Sequence, residues 1–403
     1  MASSEAKRSS DGRLRTLTLT TLFPNAAQPG LGIFIEHRLR HILATGRVES
    51  RVVAPIPWFP SSHARFGRYA KFARVPRVEE WKEFRVLHPR YAVLPKIGMT
   101  ITPAALGLSL LQPLRRLVRD GGDFDIIDAY YFYPDGVAAA WLGAVLAKPV
   151  VIHGLGTDIN LIPDFAMPRR MIQWAAHRAA GISTVCQALK DRLCSYGVAP
   201  EKVRVILHGV DLDLFRPPAD RDADRRALGM TGPTLISIGY LIERKGHHIA
   251  IAALQQLPDC RLFIAGEGEM EAELKALALR LGVSDRVRFL GRVDQRVLRQ
   301  YLGAADALVL ASSREGIANV LLEAMACGTP VVATDVWGSA EVITDPVAGE
   351  RADRTADAVA AGLQSVLARK VSRAETRRFV EAYTWQRTAA DHVALLDDVI
   401  GAR

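Results

Sequence analysis

The chain is poor in cysteine and has no long apolar run. Its four cysteines, Cys186, Cys194, Cys260 and Cys327, form no CxxC pair. That spacing excludes a disulfide scaffold and the common zinc sites, and it predicts reduced, mostly buried thiols in a cytoplasmic protein. No stretch approaches the roughly 18 to 20 apolar residues that cross a bilayer as a helix. The polar segment Met1 to Asp11 lacks the apolar centre of a signal peptide or anchor and is expected to fray. Acidic residues are in deficit. The 43 Asp and Glu face 52 Lys and Arg, and the net charge of +9 favours anionic partners in general. With 49% hydrophobic and 24% charged residues the composition is globular. A length of 403 residues exceeds one ordinary core, so two domains are expected.

The positive charge is concentrated. Arg65 to Arg77 interleaves five cations with three aromatics, just after Trp58-Phe59-Pro60. Such a mixture over 58–77 suits an anionic membrane face, where basic groups meet head groups and rings sit at the boundary. A solvated surface loop is the plainer reading. Single-stranded nucleic-acid binding by stacking and charge has less support, because no recognised nucleic-acid module surrounds the segment.

Apolar strand-like runs alternate with helical patterns throughout, which predicts parallel sheets covered by helices. Leu14 to Leu22 reads as a first strand and Ile33 to Thr45 as a helix. Asp125 to Ala129, Pro149 to His153, Gly181 to Val185 and Val203 to Leu207 read as further strands. Asp211 to Pro233, with three prolines and many charges, reads as a connection. The pattern then restarts with strands at Thr234 to Ile238, Cys260 to Ala265, Val287 to Phe289 and Ala307 to Leu310. Trp385 to Ile400 is a last amphipathic helix. The expected domains are 1–210, with 384–403 packing back on it, and 211–383. Both are read as α/β, doubly wound and Rossmann-like, with the ligand where strand ends face a cleft.

The residues with chemistry lie after strands of the second half. Gly239 opens a loop that delivers Arg244 and Lys245 side by side before a helix, a fork and a point charge suited to a diphosphate. Taken alone, an ordinary surface pair is the plainer reading. Gly266-Glu267-Gly268 is a lone GxG and weak evidence. Leu290-Gly291 offers backbone to a base edge. Glu315 stands in a glycine-containing loop and Glu323, eight residues on, stands inside the helix that follows. Asn319 and Glu323 share a helix face. A loop entering a helix before a buried strand is a phosphate-binding layout. A carboxylate repels phosphate but accepts two hydrogen bonds from a polyol. The pattern therefore describes a ligand that is part diphosphate and part sugar.

These segments, with Glu315 to Ala333 the most specific, resemble the family 4 glycosyltransferases. The resemblance covers nearly the whole chain. It implies a GT-B fold with a nucleotide-sugar donor in the second domain and an acceptor in the first. It also implies transfer with retention of anomeric configuration, no metal ion and no cofactor. By this resemblance Glu315 sits near the donor sugar and Glu323 holds the ribose. Arg244 and Lys245 bind the diphosphate, and the backbone of Gly316, Ile317, Asn319 and Val320 forms the phosphate loop. In the first domain Pro29 to Glu36 resembles the family's glycine loop, with Gly32 close to the donor. His153-Gly154 resembles the start of the family's His-Gly-x-Asp segment, which marks His153 as the active-site histidine. Here Asp158 comes two residues late, and aligning on Asp158 instead puts Leu155 where the family often has His or Arg. His208-Gly209-Val210-Asp211 departs from the family's Asn-Gly-Val-Asp. Asp123-Phe124-Asp125 and Asp211-Leu212-Asp213 each offer two carboxylates, a thin metal signal, and are expected to make loop or interdomain contacts.

The function expected is sugar transfer from a nucleotide-diphosphate sugar to an acceptor hydroxyl, in polysaccharide or glycolipid biosynthesis. The acceptor is a carbohydrate or a lipid-linked one, and the site of action is the cytoplasm or the inner membrane face. One alternative is a sugar-nucleotide epimerase of the same fold, which leaves the basic aromatic segment without a purpose. A phosphorylase requires a lysine for pyridoxal phosphate, and nothing marks one. Outside enzymes, the alternative is a charge-driven membrane- or nucleic-acid-binding protein, which predicts salt-sensitive binding without turnover.

Overall fold

The computed structural model describes residues 12–93, 98–369 and 371–402. Met1 to Asp11, with its expected frayed tail, lies outside them. Two compact units form, Met1–Leu207 with Trp385–Arg403, and His208–Thr384.

Among the described residues the first unit holds ten strands: β1 (Leu14–Leu19), β2 (Val48–Val53), β3 (Ile56–Pro57), β4 (Val78–Trp81), β5 (Phe84–Leu87), β6 (Arg90–Tyr91), β7 (Ile126–Tyr130), β8 (Val150–Gly154), β9 (Gly181–Thr184) and β10 (Val203–Val205). Eight make one sheet in the order β10-β9-β8-β7-β1-β2-β5-β4, and β3 pairs with β6 apart from it. Within the large sheet only β4 on β5 is antiparallel. The chain leaves β1 in one direction and returns to build β7 to β10 on its other side. The strand order therefore reverses between β1 and β7, the place where doubly wound sheets open a ligand crevice. Every residue of β7 and β8 is buried, as expected of a strand covered on both faces.

The helix Trp385–Gly401 follows the second unit in sequence but belongs to the first. Ala389, Val393, Leu396 and Val399, at helical spacing, pack with Leu14, Ile42, Ile126, Val151 and Ile206. Each Leu or Val so buried contributes about 1.5 to 3 kcal/mol relative to exposure. Under this helix lies a polar cluster. His153 Nε2 stands 2.6 Å from Asp128 Oδ1, and His392 Nε2 stands 3.2 Å from the same oxygen. Burial pushes His153 down to about 3 and lowers His392 too, so both rings are neutral and each can donate to the carboxylate. The three groups are close enough to share one cation. Against that, the fully buried guanidinium of Arg38 lies 5.9 Å over the neighbouring Tyr130 ring, and a second positive centre beside it carries a high desolvation cost. We read the cluster as a clamp on the last helix.

The second unit is a six-stranded parallel sheet: β11 (Thr234–Ile238), β12 (Arg261–Ala265), β13 (Val287–Gly291), β14 (Ala307–Leu310), β15 (Val331–Thr334) and β16 (Gly349–Ala352). Its order is β13-β12-β11-β14-β15-β16. The order reverses between β11 and β14, so the loops after these two strands flank the switch point. The stretch Asp211 to Pro233, expected as a plain connection, contains the helix Arg221–Leu228. Asp220 caps it by accepting from Ala223 N, and Gly229 closes it at φ 67. Arg221 and Arg225 then both pair with Asp306. Charges that read as solvated linker are spent on tying this helix to the sheet. No described helix is long and apolar enough to cross a membrane.

Candidate active site

In the second unit the switch point brings Arg244, Lys245 and Glu315 together. The loop after β11 turns through Glu243–Lys245 into the helix His247–Ala253. The loop after β14 runs through Glu315 into the helix Asn319–Ala326. Two glycines allow the loops to touch. At Gly246, with φ 70, an added Cβ would stand 1.9 Å from the carbonyl oxygen of Ala311. At Gly266, after β12, it would stand 1.8 Å from the carbonyl oxygen of Gly239. Neither contact tolerates a side chain. Ser313 N also donates to Arg244 O at 2.8 Å, and Arg354 bonds Ala311 O and Glu243, which holds both loops.

Lys245 Nζ donates to Glu315 Oε1 at 2.6 Å, and Arg244 Nη1 stands 3.5 Å from Glu315 Oε2. Ser312 Oγ donates to Glu315 Oε1 at 2.6 Å. The carboxylate is nearly buried, at 8% exposure. No side chain caps the start of the helix Asn319–Ala326, so its first amides add a positive end to the same place. Gly316 and Ile317 are buried in the loop, while Asn319 and Val320 are half-buried at the helix start. Glu323 lies one turn further along the face of Asn319. Its carboxyl keeps some exposed surface but is packed on most sides, and that burial pushes it up to about 7. Among the described residues nothing hydrogen-bonds to it. Leu290 is half-buried beside Gly291, whose carbonyl accepts from Gly266 N at 2.8 Å. Gly239, at φ 149, lies against the Lys245 stem.

Three residues here escaped the sequence reading. Ser312, three positions before Glu315, orients its carboxylate. His208, noted only as a departure from a motif, puts Nδ1 2.8 Å from Asn319 Oδ1. His247 is buried under the Gly239 loop, with Nδ1 2.9 Å from Ser237 Oγ, and burial lowers it to about 4. Adjacency to Glu315 and Lys245 was the available signal for Ser312 and His247. For His208 no local signal existed.

The first unit gives His153 surroundings unlike those the resemblance implies. Its ring has no exposed surface, and its Nδ1 pairs with Ser183 Oγ at 2.6 Å while Nε2 pairs with Asp128. A ring so enclosed serves the core of the first unit in this structure and presents no nitrogen to a substrate. Asp158 organises the strand end instead. It accepts from the backbone of Phe132 at 2.6 Å, Gly156 at 2.7 Å and Leu155 at 3.1 Å. Burial pushes it up to about 6. Asp135, equally buried, accepts from Thr21 N and Oγ1 and is pushed up to about 8, chiefly by burial and further by Asp158. Gly32 has φ 63, and a Cβ there would stand 2.1 Å from Leu22 O, so the glycine loop requires it for its own folding. Each of the two Asp-x-Asp segments pairs within its own unit. Asp125 pairs with Arg15, Asp123 with Lys148, and Asp211 accepts from the amides of Asp213 and Leu214.

Residues 220–383 match the family model described as "Glycosyl transferases group 1", and residues 74–214 match "Glycosyltransferase Family 4". A D-inositol 3-phosphate glycosyltransferase of Jonesia denitrificans is 31% identical over 310 residues, 69% of this chain and 73% of the relative. Among solved structures, sucrose-phosphate synthase of Thermosynechococcus elongatus superposes with a TM-score of 0.78 at 21% identity, over 97% of this chain and 100% of its own. Anabaena HepE, crystallised with UDP, superposes with a TM-score of 0.71 at 20% identity, over 96% of this chain and 100% of its own. The two switch-point units and these matches agree, and the chain belongs to family 4 of the glycosyltransferases, with their GT-B fold.

Proposed function

We propose that this glycosyltransferase moves a hexosyl group, with retention and without a metal ion, from a nucleotide-diphosphate sugar to a hydroxyl of a carbohydrate or lipid-linked acceptor. The observation that carries the reading is the meeting of Arg244 and Lys245 at Glu315, in the loop that enters the uncapped helix Asn319–Ala326, with Glu323 further along that helix. The cations and helix amides stabilise charge that grows on the leaving diphosphate, a preorganised effect worth more in a partly dry site than in water. Glu323 accepts the two ribose hydroxyls, and Glu315 accepts hydroxyls of the transferred sugar. In the transfer the bond from the anomeric carbon to the diphosphate oxygen breaks. The acceptor oxygen bonds to the same face of that carbon, and its proton passes to the departing phosphate. No protein nucleophile is required.

HepE has been crystallised with UDP-glucose, which makes uridine nucleotides the first donors to try. The test is transfer or donor hydrolysis by purified full-length protein with UDP-, GDP- and ADP-sugars, in EDTA. Arg244→Ala and Lys245→Ala are each expected to lower kcat/KM by about 10²- to 10³-fold, the size seen when one donor to a developing anion is lost. Full activity in both variants removes the diphosphate assignment.

The acceptor side rests on a second observation. Trp58 is 61% exposed and Tyr69 43% exposed, and Arg65, Lys71 and Arg77 are exposed beside them. Phe59 stacks on Tyr69 at 5.6 Å and meets Phe66 edge-on. Rings and cations together on one surface suit an anionic lipid face, which favours a lipid-linked acceptor and work at the membrane.

A further inference from the structure

The cations assigned above to the donor diphosphate are already occupied, and their occupant is one of the two acids. Lys245 Nζ and Ser312 Oγ both donate to Glu315 Oε1 at 2.6 Å, and Arg244 Nη1 faces Oε2 at 3.5 Å while donating to Arg314 O at 2.9 Å. A carboxylate offers these N–H groups the same acceptor pattern as a phosphate edge. Ser312 is 1% exposed, and its carbonyl accepts from Thr334 Oγ1, so its hydroxyl is aimed by a buried framework rather than by solvent. Ser313 N donates to Arg244 O at 2.8 Å, which ties the backbone of the loop carrying Glu315 to the loop carrying the cations.

We propose that Glu315 is a stand-in for the diphosphate, and that it makes the site discriminate between the nucleotide sugar and the bare nucleotide diphosphate. The inference rests on the donor reading of this site. A diphosphate arriving at Arg244 and Lys245 must displace the carboxylate and then lie near its negative charge. A nucleotide sugar offsets that cost, because its sugar hydroxyls hydrogen-bond to the displaced carboxylate. A nucleoside diphosphate has no such group. After transfer the product diphosphate is left facing Glu315 alone, and the return of Glu315 to Lys245 helps to expel it. Ser312 is a positioning residue, which favours the stand-in position by its one hydrogen bond.

The test is calorimetric titration of full-length protein with UDP and with UDP-glucose, and with GDP and ADP to identify the preferred base. Glu315→Gln keeps the shape and removes the charge. It is expected to tighten UDP by on the order of tenfold to a hundredfold, the size expected for one unit charge a few Å from another at a partly exposed site. UDP-glucose is expected to tighten far less, so the two affinities draw together. Ser312→Ala is expected to tighten UDP several-fold in the same direction while the affinity for UDP-glucose changes less, a split that a merely structural serine does not produce. Melting temperatures within a few degrees of wild type establish that both variants fold. Unchanged or weaker binding of whichever of the three diphosphates wild type prefers, in a folded Glu315→Gln variant, overturns the stand-in role and leaves the donor site intact. Wild type that binds none of the three diphosphates overturns the donor site itself.

Discussion

Glu323 allows a quantitative check on donor binding. Its carboxyl is pushed up to about 7 by burial, and no described residue bonds to it. An ionised carboxylate accepts both ribose hydroxyls, whereas the protonated acid spends one oxygen as a donor. With a pKa near 7 the ionised fraction is about 0.1 at pH 6, 0.5 at pH 7 and 0.9 at pH 8. Nucleotide-sugar affinity is therefore expected to rise roughly tenfold from pH 6 to pH 8. The direction follows from the sign of the shift, since a raised acid stays protonated to higher pH and binding through its anion is gained as pH rises. The assay is calorimetry with UDP-glucose, whose phosphates are both esterified and do not titrate in this window. Glu323→Gln is expected to bind weakly and with no pH dependence. Stability shifts oppositely. The folded state holds this proton above the unfolded pKa, so ionisation costs stability that grows as pH rises from about 4.5 to 7 and stays above it. Glu323→Gln is expected to raise Tm more at pH 8 than at pH 5. Wild-type affinity that is flat from pH 6 to 8, or an equal pH dependence in the glutamine variant, refutes the argument.

Leu396→Ala, in the helix that closes the first unit, is expected to cost about 2 to 5 kcal/mol in urea unfolding. His392→Ala is expected to cost about 1 to 3 kcal/mol by the same measurement, because Asp128 loses a buried partner. Gly246→Ala is expected to abolish UDP-glucose binding by calorimetry, since the added carbon meets Ala311 O at 1.9 Å and forces the two loops apart. Vesicles with a high fraction of anionic lipid are expected to cosediment wild type but not a variant carrying Arg65→Glu, Lys71→Glu and Arg77→Glu. Equal cosedimentation with neutral vesicles removes the membrane role.

Much of the second unit was legible because its information is local. Apolar runs such as Val331 to Thr334 lie between turn residues, and a strand buried on both faces needs no alternation to be recognised. Arg244, Lys245 and Glu315 stood out because each lies in a loop after a strand, and parallel strands bring such loops to one edge, while Glu323 stood out by its spacing from Glu315. The helix Arg221–Leu228 was hidden by its charges, which serve Asp306 rather than solvent. The enclosure of His153 was not legible, because its neighbours in sequence suggest a loop end, while its partners Asp128, Ser183 and His392 lie 25, 30 and 239 residues away in the chain.

By itself the sequence determined the class of fold and the reaction class and singled out the strand-end residues that the second unit brings together, because periodicity and strand-end motifs are short-range and survive without coordinates. Only the tertiary structure decided which of those residues hold one another. The return of the last helix set the fate of His153, and the crossing of the strand order between β11 and β14 placed Lys245 on Glu315. Both are contacts between segments far apart in the chain, and pairings of that kind are set by packing and topology, which no local pattern encodes.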